Sequence, residues 1–167
     1  NWDVSSVTNM NSMFEGAFAF NQDLSSWDVS NVTDMSRLFY NMPFNQDLSS
    51  WDVSSVTDMS SMFYNNSSNL SLLNLSSWDV SNVTNMGGMF RAVFHNQDLS
   101  SWDVSSVTVM TYMFAVSTFN QDISNWDVSS VTSMFGMFYN ASFNQPIGNW
   151  DVSSVTNMYT MLHRIHI

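Results

Sequence analysis

The chain contains no cysteine and no lysine, and only 10% of its 167 residues are charged. Without cysteine there can be no disulfide, no zinc–thiolate site and no thiol nucleophile. Only three arginines stand against 14 acidic residues, which gives a net charge of -11. Phosphate contacts need a basic face, so this composition argues against nucleic acid as a partner. An anionic membrane surface would repel the chain for the same reason.

Long hydrophobic runs are also absent. No stretch of eighteen apolar residues occurs, so the sequence predicts no membrane span. Hydrophobic residues nevertheless make up 44% of the chain. That fraction, at this length, is enough for one folded unit with a sizeable core.

An internal repeat dominates the sequence. The triplet Trp-Asp-Val accounts for all seven tryptophans and recurs mostly every 24 residues. Such a period is typical of a solenoid with one coil per repeat. The sequence therefore predicts a single tandem-repeat solenoid over residues 1–167, as a fragment of, or a unit within, a longer array. The triplets begin at Trp2, Trp27, Trp51, Trp78, Trp102, Trp126 and Trp150.

Within one repeat the apolar spacing changes. The alternation over residues 24–29 predicts a short strand. The apolar residues of 32–39 have helical spacing, and Asn31 just before them is a good N-cap. The predicted fold class is therefore α/β: a leucine-rich-repeat-like solenoid of about seven 24-residue coils. Short strands would form a parallel sheet on one side, and short helices would lie on the other.

Tryptophan and methionine recur in columns, which predicts a core. The methionines lie on the apolar side of the predicted helix, where packing is a better explanation than copper binding. Tryptophan shares a strand face with an inward valine, so we expect its ring to be buried and its indole N–H to reach a loop carbonyl. The first methionine column is Met10, Met35, Met59, Met86, Met110, Met134 and Met158.

An aspartate occurs on the outward strand position of every repeat. Stacked carboxylates repel one another, so a compensating interaction is required. Hydrogen bonds from the serines two residues later could supply it. Calcium is the alternative, because hard oxygen ligands suit that ion. The candidate calcium ligands are Asp3, Asp28, Asp52, Asp79, Asp103, Asp127 and Asp151.

Other candidate sites are weaker. A threonine column raises ice binding, although local hydrogen bonding explains it better. Three histidines and identical repeated carboxylates offer no two distinct catalytic environments, so no enzyme is predicted and no cofactor beyond calcium. The Asn-x-Ser/Thr sequons, which predict glycosylation in a glycosylating source, are Asn31, Asn65, Asn66, Asn69, Asn74, Asn82 and Asn140.

The repeat as a whole resembles a known family. The string from Phe44 to Met59, F-N-Q-D-L-S-S-W-D-V-S-S-V-T-D-M, is similar to the BspA-like leucine-rich-repeat surface proteins, and the same repeat occurs in mycoplasma lipoproteins. The resemblance covers essentially the whole chain. It implies an extracellular or cell-surface protein with an adhesive or recognition role.

Two functions follow from these observations. The first is a non-enzymatic surface module that binds a protein or glycan ligand at a cell surface. The second is a structural subunit whose copies stack end to end into a filament or sheath, because the repeats are nearly identical and no cap is visible. A recognition face should vary between repeats, and here the loops vary while the predicted sheet face is uniform.

Overall fold

The computed structural model describes residues 2–67, 73–94 and 96–165. In these residues there is no helix and no strand of more than one residue. The backbone runs through consecutive turns and forms seven coils, which six isolated parallel bridges join in sequence. We number the coils 1 to 7 by their bridge residues, which are Asn9, Asp34, Asp58, Asn85, Val109, Ser133 and Asn157.

The predicted helices are wrong. In coil 2, Ser36 N–H bonds to the side chain of Asp34, which closes an Asx turn. Arg37 and Asn41 then adopt φ of 57° and 53°. Left-handed residues at intervals of four interrupt any α-helix, and side chains that bond the nearby backbone compete with it. The apolar residues still reach the core, because consecutive turns bring every third or fourth residue to one side.

The predicted strands and their parallel sheet are wrong as well. The Trp-Asp-Val segment lies between two turns, in which Trp27 N–H bonds to Leu24 O and Val32 N–H bonds to Val29 O. The bridges lie a few residues later, at one residue per coil. The chain is therefore not an α/β leucine-rich-repeat solenoid, and its regularity comes from turns.

Backbone hydrogen bonds between coils replace the missing helices and sheet. Met35, Arg37, Phe39 and Asn41 donate their N–H groups to carbonyls of coil 3, while residues between them close turns within coil 2. Every other N–H group in this segment therefore donates a hydrogen bond to a carbonyl of the next coil, which leaves few buried backbone groups unpaired. The same alternation recurs along the stack.

One hydrophobic cluster runs from Val4 to Met161. The prediction that the methionine columns form core is confirmed, since Met35, Met59 and Met110 have no exposed surface. Phenylalanines stack beside them, with Phe39 and Phe63 ring centroids 5.7 Å apart. The stack's ends differ from its middle: Trp2 is 69% exposed and Met158 43%.

The predicted burial of tryptophan is also confirmed away from the first coils. Each buried indole Nε1–H donates to a backbone carbonyl of the preceding coil, at 2.9–3.2 Å from nitrogen to oxygen. These bonds link coils through their side chains as well as their backbones. The rings concerned are Trp51, Trp78, Trp102, Trp126 and Trp150.

Candidate binding face

The aspartate column lies on an exposed face, and its carboxylates are used locally. Each carboxylate oxygen accepts the backbone N–H of the serine two residues later, at 3.0–3.1 Å. In coils 1 to 4 the serine hydroxyl donates to the same oxygen at 2.6–2.7 Å. Every member of the column therefore closes the same Asx turn.

These hydrogen bonds dominate the electrostatics of the column. The side-chain and backbone bonds from Ser30 hold the pKa of Asp28 below its usual value, while the charges of Asp52 and Asp3 raise it by less. Bonds from Ser105 lower the pKa of Asp103 in the same way, against the charge of Asp127. Serine donors thus offset the repulsion between stacked carboxylates.

The calcium assignment of this column stays a prediction. Within residues 2–67, 73–94 and 96–165, no three acidic or histidine side chains converge to hold a metal ion. His95 and His166 lie outside the described residues. The carboxylates are spread along the stack, one per coil, and do not gather round a point.

The sequons occupy different environments, and glycosylation stays a prediction. Asn31 and Asn82 are exposed, although each amide donates to a serine carbonyl of the preceding coil at 2.8 Å. Asn65 and Asn74 are exposed, and Asn140 is half-buried. Asn66 is fully buried and donates to Phe44 O, so a glycan could not be attached in the folded chain. Asn69 lies outside the described residues.

The threonine column is exposed, and its hydroxyls bond between coils. Thr33 Oγ1, for example, donates to Thr8 O at 3.1 Å, and Thr57 Oγ1 donates to Thr33 O at 3.2 Å. Asn-Gln pairs, such as Asn120-Gln121 and Asn144-Gln145, also bond between coils: Asn144 N–H donates to Asn120 Oδ1 at 2.7 Å. Both columns therefore hold coils together.

A second exposed surface is formed by residues of the segments that were predicted to be helical. Here charged and aromatic side chains touch one another across the described coils in one continuous row. Arg37 pairs with Glu15 through Nη2 and Oε1 at 2.5 Å, and its guanidinium lies 4.2 Å from the ring centre of Tyr40. We call this row the Arg–Tyr strip, and it consists of Glu15, Arg37, Tyr40, Tyr64, Arg91, Tyr112, Phe135 and Tyr159.

Aromatic contacts continue the strip to coil 7. Tyr40 and Tyr64 stack with ring centres 4.5 Å apart. The guanidinium of Arg91 lies 5.5 Å from the ring centre of Tyr64 and 4.5 Å from that of Tyr112. Tyr112 then meets Phe135 edge to face, and Phe135 stacks on Tyr159 at 5.7 Å. The strip is thus an ordered surface of rings and guanidinium groups.

The strip collects residue types that are scarce in the chain. It holds two of the three arginines and four of the five tyrosines. Tyr139, the fifth tyrosine, stacks on His163 beside it, with ring centres 5.7 Å apart. Glu15 is the strip's only acid, although the chain has 14. The strip is therefore the one described face on which cations outnumber carboxylates.

A depression of about 400 Å³ lies along the strip and is lined by residues of coils 2 to 5. Gly87 and Gly88 form its floor, with Tyr64 and Tyr112 on either side. Arg91 lines it, and none of its lining residues is acidic. A second, enclosed apolar site between Phe90 and Phe119 has room for only about 10 Å³, so it is part of the core.

Sequence reasoning missed the strip. It followed the columns that are identical in every repeat, whereas the strip positions vary: Glu15, Tyr40, Tyr64 and Arg91 are equivalent residues of coils 1 to 4. The signal was present: all five tyrosines lie next to the buried Met and Phe positions. Aligning the variable positions repeat by repeat would have shown it.

The chain is thus a tandem array of coils of about 24 residues that are built from turns, with one variable Arg–Tyr face. None of the described residues belongs to a helix that is long and apolar enough to cross a bilayer. A family model described as Mycoplasma protein of unknown function, DUF285, matches residues 1–73 and 65–166. The chain therefore belongs to the DUF285 repeat family. No curated protein and no solved structure matches it.

Proposed function

We propose that the chain is a non-enzymatic recognition module that adheres to a partner at a cell surface through the Arg–Tyr strip. One observation carries this proposal: the scarce arginines and tyrosines of a chain with net charge -11 are gathered on one face that differs from coil to coil. Tyrosine and arginine are enriched at binding surfaces because they combine apolar area with directed hydrogen bonds.

The rest of the surface supports this choice by contrast. The aspartate and threonine columns repeat the same contacts along the stack, and the Asn-Gln pairs repeat theirs where they occur. A surface used only for structure has no reason to vary. The resemblance to BspA-like surface proteins adds an extracellular location to the proposal.

The test is binding of the fluorescently labelled chain to cultured animal epithelial cells. The strip variant carries Tyr64→Ser, Arg91→Ser and Tyr112→Ser. The control variant carries Asp52→Asn, Asp79→Asn and Asp103→Asn in the aspartate column. We expect saturable binding that falls about tenfold or more in the strip variant and is kept by the control. No saturable binding, or binding that survives the strip changes, would overturn the proposal.

End-to-end assembly is the second candidate, because apolar side chains are exposed at both ends of the stack. Trp2 and Phe18 are 69% and 66% exposed in coil 1, and Leu162 is 51% exposed in coil 7. A head-to-tail contact of these ends would make a filament. Light scattering would show mass that grows with concentration, and a Trp2→Ser, Leu162→Ser variant should abolish that growth. A constant monomer mass would reject this candidate.

A further inference from the structure

The depression in the Arg–Tyr strip exists because coil 4 has two adjacent glycines: every other coil has a side chain at the Gly87 position, and only coil 6, with Gly136, has glycine at the Gly88 position. Gly88 has a φ of 64°, but Ser61 and Tyr112 take the same conformation in the same column, at 55° and 56°. The backbone therefore does not require glycine at this position. What Gly87 and Gly88 lack is a side chain, so the half-buried Gly87 and the buried Gly88 form a low floor between Tyr64 and Tyr112.

Arg91 is held at this floor without an acidic partner. Its guanidinium lies between the rings of Tyr64 and Tyr112, which restrict its motion. The only ion pair among the described residues is that of Arg37 with Glu15. A guanidinium that is stacked on aromatic faces presents its N–H edge to solvent, and that edge matches a carboxylate with two parallel hydrogen bonds.

The column of bridge residues carries no acidic side chain from coil 4 onward. Asp34 and Asp58 occupy this position in coils 2 and 3, but Asn85, Val109 and Ser133 occupy it in coils 4 to 6. Asn85 keeps the turn, because its Oδ1 accepts Gly87 N–H at 3.0 Å. The substitution leaves one carboxylate fewer beside Arg91, and the amide of Asn85 donates Nδ2–H to Oδ2 of the nearest remaining one, Asp58, at 3.1 Å.

We propose that the depression over Gly87 and Gly88 binds a carboxylate-bearing sugar, with its carboxylate on Arg91 and its ring over the two glycines. The hydroxyl groups of Ser60 and Ser61 line the same depression and match the hydroxyls of a sugar. Its volume is in the range of small-molecule sites. This inference rests on the proposed function, since it names the ligand class of the strip.

An acidic peptide fits the site less well. Recognition of a run of acidic residues needs several cations in succession, whereas this strip offers one unpaired guanidinium. Arg37 is already neutralised by Glu15, and the chain's net charge of -11 repels a polyanion. One carboxylate surrounded by hydroxyls is the ligand that one arginine, two tyrosines and two serines can accommodate.

The experiment is an NMR titration of the folded 167-residue chain with two matched pairs of probes. Glucuronate is compared with glucose, and N-acetylneuraminate is compared with its methyl ester. We expect at least one acid to bind and to shift the amide signals of Gly87, Gly88 and Tyr112. Its dissociation constant should be about tenfold lower than that of its neutral counterpart, which cannot form the charge-assisted hydrogen bonds. A tri-glutamate peptide tests the competing class.

Matched variants locate the site. Arg91→Ala should abolish binding, and Arg91→Lys should weaken it, because lysine keeps the charge but loses the planar fork. Arg164→Ala makes the same charge change outside the depression and should bind as the native chain does. Gly88→Tyr fills the floor and should block binding, whereas Ser12→Tyr places the same side chain in the same column of coil 1 and should not.

The outcomes separate this inference from the proposed function. Equal affinity for acid and neutral probes, binding that survives Arg91→Ala, no response to either acid, or tri-glutamate binding in their place would each overturn it. If that occurs while the strip variant still loses cell binding, the recognition role stands and only the ligand class is wrong. If the acids bind as expected but cells bind the strip variant normally, the proposed function fails alone.

Discussion

The aspartate column and the Arg–Tyr strip are both exposed, both run along the stack, and differ in what changes from coil to coil. Each aspartate accepts hydrogen bonds from its own serine, so one contact is made again and again. The strip contacts instead change along the stack: Tyr40 stacks on Tyr64, whereas Arg91 lies between Tyr64 and Tyr112. In a repeat protein, identity between coils reflects the needs of stacking, and a departure from identity marks a surface free to take another role.

The largest effect on stability is expected from the buried tryptophan column, which is repeated in every coil. Trp78→Ala should lower the free energy of unfolding by about 3–5 kcal/mol, since it empties a buried site and removes one of the two donors to Leu48 O, which keeps only the N–H of Trp51. Urea unfolding followed by intrinsic fluorescence measures this. Trp2→Ala is the control, and its 69% exposure predicts a loss of only about 0.5 kcal/mol. Similar losses for both would show that the core is not where the structure places it.

A medium effect on stability is expected to distinguish Gly88 from Gly136, which occupy equivalent positions in coils 4 and 6. A Cβ at Gly136 would overlap the Tyr112 ring, whereas at Gly88 it meets only Ser61 Oγ at 3.1 Å. Both residues have φ near 60°, so the cost of placing alanine in that conformation cancels. Gly136→Ala should be less stable than Gly88→Ala by about 1–3 kcal/mol in thermal melts. Adding Tyr112→Ala to Gly136→Ala should recover the difference; no recovery would refute the proposed clash.

A smaller effect concerns acid. Serine hydrogen bonds lower the pKa of Asp3, Asp52 and Asp127 in the folded chain. The stability they contribute is therefore present above the unfolded pKa of about 3.9 and is lost as the pH falls through the lower folded values. The melting temperature should hold steady down to about pH 5 and then fall.

Asparagine replacements sharpen that result. Asn74 and Asn85 already close the same turn through their amide oxygens. Asp52→Asn with Asp127→Asn should therefore keep the fold at pH 7 and flatten the loss of melting temperature in acid. An unchanged acid profile would mean that other groups control it.

The smallest effect is expected from calcium. Because each carboxylate already has its donors and no three acidic groups converge in the described coils, added calcium should leave the melting temperature unchanged relative to chelator. A rise that disappears in the Asp52→Asn, Asp79→Asn and Asp103→Asn variant would instead assign calcium to the column.

The sequence was sufficient to predict the period, the buried Met and Trp columns and the indole–carbonyl bond, because each depends on apolar residues recurring once per coil. It could not distinguish a helix from successive turns. Met35, Leu38 and Phe39 have spacing that suits both, and the choice depends on Arg37 and Asn41 adopting positive φ. The recurring Asp-x-Ser pattern was the available sign of Asx turns.

The candidate site was beyond that reasoning for a different physical cause. Its contacts join residues about 24 positions apart that resemble nothing in the consensus, so their proximity follows only once the coils are stacked. The depression depends further on the side chains that Gly87 and Gly88 lack, which a consensus of the identical columns does not reveal.

The hydrogen bonds between coils have a mechanical consequence. They point along the stack, from Met35 N–H to Asp58 O and from Phe39 N–H to Met62 O. A pull on the two ends of the chain therefore puts the same force on every interface between coils, so the weakest interface gives way first and the coils separate one at a time. Each coil released would add about 80 Å of extended chain. Under flow, such a protein would lengthen step by step and keep its remaining coils, and their binding face, intact.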